Sequence, residues 1–217
     1  ISLYPSHEKS AYTDDYETVK AFADSCNIPV YVAFPPRKMD SLVSALPSDF
    51  PFEHSEYLYK LAENIVSKSD AEYVDLYSAL RSTEGTYFNT DHHWTDKGAF
   101  LAYLEISETM GFNPLVFDEL NAEVLIENWR GSDFSKKNTA EASDTVTGTY
   151  PDGEFLVERV EFPYDSEENN TSFEGFFDYG KLSSNEPYAV YLGGNHPYIR
   201  VKKTGEERPV LLIVRDS

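Results

Sequence analysis

Ile28-Pro29-Val30-Tyr31-Val32-Ala33-Phe34 is the run on which the fold turns. It is almost continuously apolar and stops at Pro35-Pro36-Arg37-Lys38. A strand covered on both faces reads this way, because crossover helices shield a parallel sheet above and below. Before it, Asp14 to about Cys26 place Tyr16, Val19, Phe22 and Ala23 on one helical face. Residues 1–13 are polar and read as irregular. After it, 41–54 form a proline-punctuated connection, and Ser55 to Ser69 space Leu58, Leu61, Ala62 and Ile65 as a helix. Tyr73-Val74-Asp75-Leu76-Tyr77 follows as a second strand. This alternation predicts a parallel sheet with helices on its faces. Ligands of such sheets bind beyond the carboxyl ends of the strands, where Arg37 and Lys38 stand. Arg37 could meet an anionic substrate group there, although solvated loop cations are the more ordinary reading of both residues.

Tyr87-Phe88-Asn89-Thr90-Asp91-His92-His93-Trp94-Thr95 carries the chemistry. Two of the five histidines sit here, next to an aspartate. Thr95 is placed to cap a helix through Phe100, Leu101, Leu104 and Met110, with Gly111 at its end. On an extended backbone adjacent side chains point to opposite sides, whereas residues i and i+2 share a face. The pattern therefore assigns His93 as base and Asp91 as the group that orients it, and leaves His92 to pack or to contact a ligand or another chain segment. A structural cluster around Trp94 is the plainer alternative. A metal site is another, but it lacks spaced partners, since His7, His54 and His196 are scattered.

From 112 to 186 helical periodicity fades and short strand-like runs appear at Val124 to Ile126, Phe155 to Val160 and Phe173 to Phe177. This reads as an inserted, irregular, β-rich segment. It contains Gly131-Ser132-Asp133-Phe134-Ser135-Lys136, whose serines could line a pocket. The expected organisation is 1–111 as an α/β part, 112–186 as the insertion, and 187–217 as a return to the sheet. In the last part Tyr188 to Leu192 reads as a strand and Val210-Leu211-Leu212-Ile213-Val214 as a central parallel strand. Ser217 emerges from its carboxyl end and is the strongest nucleophile candidate, because no buried strand delivers Ser132 or Ser135. Gly193-Gly194-Asn195-His196 suits either an oxyanion-binding loop, with Gly194 and Asn195 as donors, or an ordinary turn.

The 217 residues suit one domain with an insertion, and 41% hydrophobic with 15% aromatic residues argue for a folded chain. A net charge of -20 makes nucleic acid and anionic lipid poor partners but is compatible with neutral carbohydrate. Cys26 alone permits no internal disulfide. No apolar stretch is long enough to span a membrane, and no signal peptide is visible. The first residue is Ile1, which leaves room for a removed N-terminal anchor or signal.

Thr90-Asp91-His92-His93-Trp94-Thr95, with Gly131 to Lys136, Gly194-Asn195-His196-Pro197 and Arg215-Asp216-Ser217, resembles the DHHW family of bacterial SGNH-hydrolase-like proteins. The order Asp-x-His before serine is also similar to that of the alginate O-acetyltransferases. The resemblance implies a flavodoxin-like, SGNH-type three-layer α/β fold and a Ser-His-Asp triad of Ser217, His93 and Asp91. It further implies acyl-ester chemistry on envelope or extracellular glycans, an exported location and no cofactor. The competing expectation is a non-catalytic glycan-binding or scaffold module on the same fold. Members of the family are expected to continue past the serine.

Overall fold

The computed structural model describes residues 9–42, 55–81, 83–133, 142–160 and 170–215. Two compact units divide the chain: Ile1–Leu115 with Gly131–Ala142, and Val116–Arg130 with Ser143–Ser217.

The first unit is the α/β part. Its elements are α1 (Lys9–Ser25), β1 (Tyr31–Ala33), α2 (Lys38–Ser41), α3 (Glu56–Val66), β2 (Glu72–Val74), α4 (Leu76–Leu80) and α5 (Asp96–Thr109). β1 and β2 pair in parallel, with Val32 opposite Tyr73 and Ala33 opposite Val74. Strand alternation divides these residues between two faces. On one face Val32 and Tyr73 pack with Val19 and Ala23 of α1 and with Val66 of α3. On the other, Tyr31, Ala33 and Val74 pack with Leu76 and Leu80 of α4 and with Ala102 and Ile106 of α5. The result is helices, sheet, helices: the three-layer α/β arrangement that the sequence predicts. Leu80 is completely buried, a burial that stabilises by roughly 1.5–3 kcal/mol.

Three local expectations for this unit change. α1 begins at Lys9, so 9–13 are helical rather than irregular. β1 and β2 are shorter than their apolar runs, spanning only Tyr31–Ala33 and Glu72–Val74. Leu76 and Tyr77 are helical because the Asp75 carboxylate accepts the Ser78 amide at 3.0 Å and caps α4. The 43–54 connection lies outside the described residues.

The second unit is antiparallel. β3 (Asn121–Trp129) pairs with β4 (Asp144–Tyr150), and β5 (Phe155–Val160) lies between β6 (Asn170–Glu174) and β7 (Tyr198–Lys203). β3 carries irregularities between Val124 and Ile126 and between Ile126 and Trp129, with Asn128 at φ 52°, as at a bulge. Phe177 is buried and stands edge-on to Tyr150, Tyr179 and Tyr191.

Two strand expectations fail here. Pro187–Val190 is a 3-10 turn, started by a proline that fixes φ and donates no hydrogen bond. Val210–Val214 joins no ladder among the described residues, and its residues are 55–85% exposed. Apolar β-branched composition favours a strand only where a partner edge accepts the backbone, and among the described residues no edge does so.

Candidate active site

The Asp-His-His-Trp loop is closed at its neck. The Thr95 amide donates to the Thr86 carbonyl at 2.9 Å, and the Phe88 amide to the His93 carbonyl at 3.1 Å. Tyr87 and Trp94 face each other across this neck as an isolated bridge. Thr95 then caps α5 by accepting the Gly98 amide at 3.3 Å. A side chain at Gly98 would run into the Thr86 carbonyl and the Trp94 Cβ, so glycine lets the first turn of α5 settle onto the neck. Trp94 packs into the α4–α5 cluster, and Phe88 and Thr90 are buried.

Asp91 is the hub. It is 3% exposed, and its Oδ1 accepts both the His93 amide at 2.9 Å and His93 Nδ1 at 2.5 Å. Its Oδ2 accepts the Ser132 amide at 2.7 Å and the Ser132 hydroxyl at 2.9 Å. Burial pushes the Asp91 carboxyl upward, but the bonds from His93 and Ser132 outweigh it and hold the group well below the usual carboxylate range. Asp91 is thus ionised at any physiological pH. With Nδ1 of His93 committed to a carboxylate, the proton-accepting nitrogen of the neutral ring is Nε2. The His93 side chain is half-exposed, so the imidazole of this pair is open to solvent.

The second histidine meets another chain segment, as one reading of it expects, but the side-chain directions differ from expectation. The loop turns, so His92 and His93 do not splay apart; their rings lie 4.1 Å apart at 34°. His92 Nδ1 lies 3.0 Å from the Ser132 hydroxyl. The i, i+2 pairing of Asp91 with His93 is present, but its cause is a carboxylate folding back onto the amide two residues on, not a shared strand face.

Residues from two distant segments fix the loop. Thr90 accepts the Gly131 amide on its hydroxyl and the Asp133 amide on its carbonyl, both at 3.0 Å. A Cβ on Gly131 would stand 2.6 Å from Asp91 Oδ2, so only glycine admits this approach. Lys38 Nζ donates to the Asn89 and Asp91 carbonyls, each at 2.9 Å, and pairs with Asp133 at 3.4 Å. The expectation of a solvated Lys38 is corrected: its position just past β1 carries it into the loop. Tyr87 adds a bond from its hydroxyl to the Pro36 carbonyl. The sequence signals were a lysine at the ligand edge of a parallel strand and a glycine preceding Ser132.

Asp91, His92 and His93 also bring ligand atoms within 4.8 Å of one another, the donor set of the metal alternative. A carboxylate offers about four acceptor positions, and the two amides, the Ser132 hydroxyl and His93 Nδ1 take them. An ion at Asp91 would have to break one of these bonds.

The other predicted residues are placed as follows. Arg37 forms a pair with buried Asp40 at 3.0 Å and also donates to Ser55; the hydrogen bond to Asp40 and its charge raise the guanidinium pKa further. Its charge is therefore answered within the protein. In the second unit, Arg215 donates to the Asn195 side-chain oxygen at 3.1 Å. Gly193 and Gly194 have φ of 81° and 99°, and a side chain at Gly193 would collide with Arg159, which pairs with Asp178 at 2.7 Å. A structural reason thus exists for the first glycine of that turn. Ser217, Asp216, Ser135, His7 and His54 lie outside the described residues.

The family described as SGNH hydrolase-like domain, acetyltransferase AlgX, matches residues 9–172. The chain belongs to this family. Solved structures repeat its fold. A DHHW family protein from Eubacterium siraeum superposes with a TM-score of 0.76 at 20% identity, over 95% of this chain and 68% of that one. Bacillus cereus PatB1, in a structure with a sulfonyl adduct, gives 0.66 at 17% identity, over 90% and 67%. The O-acetyltransferase domain of Pseudomonas putida AlgJ gives 0.50 at 16%, over 65% and 57%. No curated protein matches the sequence. The AlgX-type family and its SGNH hydrolase-like fold are therefore shared, as the Asp-His-His-Trp motif suggested. Among the described residues no helix is long and apolar enough to cross a membrane.

Proposed function

We propose that this AlgX-family chain is a serine O-acyltransferase or esterase that moves acetyl groups on envelope or extracellular glycans. The observation that carries the reading is the Asp91–His93 pair: a buried carboxylate, ionised at physiological pH, 2.5 Å from Nδ1 of a half-exposed imidazole. That is the orienter-and-base half of a serine triad. In the proposed mechanism the Ser217 hydroxyl attacks the acetyl carbonyl while His93 Nε2 takes its proton. The tetrahedral oxyanion collapses to an acetyl-serine and expels the sugar alcohol, which recovers the proton from His93. Water or a second sugar hydroxyl then repeats the sequence in reverse. Asp91 stays ionised and stabilises the imidazolium. Gly194, Asn195 and the Ser217 amide are the proposed oxyanion donors. Acyl transfer of this kind requires no cofactor. The names of AlgX, the AlgJ O-acetyltransferase domain and PatB1 with its sulfonyl adduct favour acetyl chemistry on a nucleophile that sulfonyl reagents capture. Export to the cell surface is part of the same proposal.

The test is hydrolysis of a chromogenic acetyl ester, with and without a sulfonyl fluoride. Ser217→Ala and His93→Ala should each abolish turnover, and the reagent should add one sulfonyl group to Ser217. Full activity in Ser217→Ala removes Ser217 from the mechanism. Activity lost on chelation and restored by a divalent ion would instead establish the metal alternative. A folded protein inert toward every acetyl ester but retaining glycans would support the non-catalytic module.

A further inference from the structure

A cavity of about 130 Å³ lies within the second unit, away in sequence from the Asp-His-His-Trp motif. Its walls are Tyr150, Phe155, Phe176 and Tyr179 over buried Phe177, with the carboxylates of Glu123 and Glu174. The volume is well below the roughly 300–1,000 Å³ of pockets for drug-sized ligands. It takes a head group rather than an extended chain.

The rings are set as walls, not as a flat platform. Phe177 stands at 78° to Tyr150 and 73° to Tyr179, and Phe155 is tilted 43° to Phe176 at 4.6 Å. A pyranose ring stacks best on one flat face; steeply angled rings enclose a rounded group from several sides. Aromatic faces are negative, so such an enclosure favours a cation. The charges agree. Among the described residues no lysine or arginine lines the cavity, whereas two glutamates do. Lys203 passes near Gly153 at the margin, but Glu206 holds it at 2.8 Å. The Tyr179 hydroxyl donates to Glu123 at 2.5 Å, which enriches its ring in electron density and strengthens its pull on a positive charge. That bond and burial push the Tyr179 phenol up to about 12, so it stays a neutral donor. The molecule's net charge of -20 draws cations from solution.

The geometry points to a binding site for an organic ammonium head group, held by cation–π contact with Tyr150, Phe176 and Tyr179 and by the charges of Glu123 and Glu174. Choline is the probe, and 3,3-dimethylbutan-1-ol is its neutral isostere. Calorimetric titration of the whole chain at low salt should show choline binding at least about 5-fold tighter than the alcohol, the range of a partly desolvated cation–π contact. Tyr179→Ala and Glu174→Gln should each weaken choline several-fold. Both positions are exposed, so the variants keep their fold, checked by circular dichroism. Equal affinity for choline and the alcohol overturns the proposal and leaves a merely apolar pocket. So does the absence of choline binding up to tens of millimolar, and so does binding of glucose or N-acetylglucosamine in its place.

Discussion

The Asp91 loop and the Val210–Val214 segment invert the usual relation between composition and burial. The loop is polar, lacks regular secondary structure, and buries Thr90 and Asp91 almost completely. The segment is wholly apolar and lies exposed. Backbone partners make the difference. Lys38, Thr90, Ser132 and the neck amides answer the polar groups of the loop, whereas no strand answers the backbone of the segment among the described residues. Hydrophobicity rewards burial, but an extended chain is buried only where its peptide groups are also satisfied.

This contrast can be broken in order of expected effect. Asp91→Asn should lower turnover of the chromogenic ester by about 10⁴-fold, because the amide favours the wrong imidazole tautomer; a loss below tenfold would show that Asp91 does not orient the base. Gly131→Ala should destabilise the first unit by about 1–3 kcal/mol in urea unfolding, as its methyl drives into the Asp91 carboxylate. Lys38→Met removes the lysine donor to the Asn89 and Asp91 carbonyls and should cost about 1 kcal/mol; hydrogen exchange at Asn89–His93 should accelerate in that variant. Acid offers a finer probe. The folded pKa of Asp91 lies below its unfolded value, so the unfolded chain takes up the proton first. Its contribution is complete above about pH 4 and fades as pH falls toward the folded value. The gap in melting temperature between the wild type and Asp91→Asn should therefore hold from pH 7 to about 5 and narrow below about 4. Least of all, Leu212→Ser should change stability by less than about 0.5 kcal/mol. A cost of 2 kcal/mol or more would restore Val210–Val214 as a paired strand and erase the contrast.

Much of the first unit could be read in the sequence. The apolar run at β1, the amphipathic α3 and the Thr95-capped α5 each obey local rules, and those rules agree with their packing. β4 could not be read so easily. Its inward positions are Asp144, Val146 and Gly148, of which one is apolar, and a side chain at Gly148 would strike the ring of Phe177. The strand is built to receive a neighbour's side chain rather than to bury its own, and hydropathy does not record that. The 3-10 turn at Pro187–Val190 was hidden by the apolar residues that follow the proline. At the site, the Asp91–His93 pairing was visible, because it depends on two residues of the loop itself. Lys38, Thr90 and Gly131 were not, since their importance arises only when three segments meet. Only an extended backbone would send His92 and His93 to opposite sides, and the closed neck makes the loop turn instead.

The three segments that meet at Asp91 also set the order in which its contacts close. Lys38 and Asp133 are joined over a separation of 95 residues, Lys38 and Asp91 over 53, and Ser132 and Asp91 over 41. Contacts between residues far apart in sequence close late, because each must first overcome the entropy of the loop it shuts. A chain synthesised only as far as Trp94 holds both members of the dyad but not the Ser132 donors that keep Asp91 in place. The Ser132 donors that complete the Asp91 hydrogen bonds therefore come only after the chain has been made past Ser132, whereas the local Asp91–His93 contact needs no later residue.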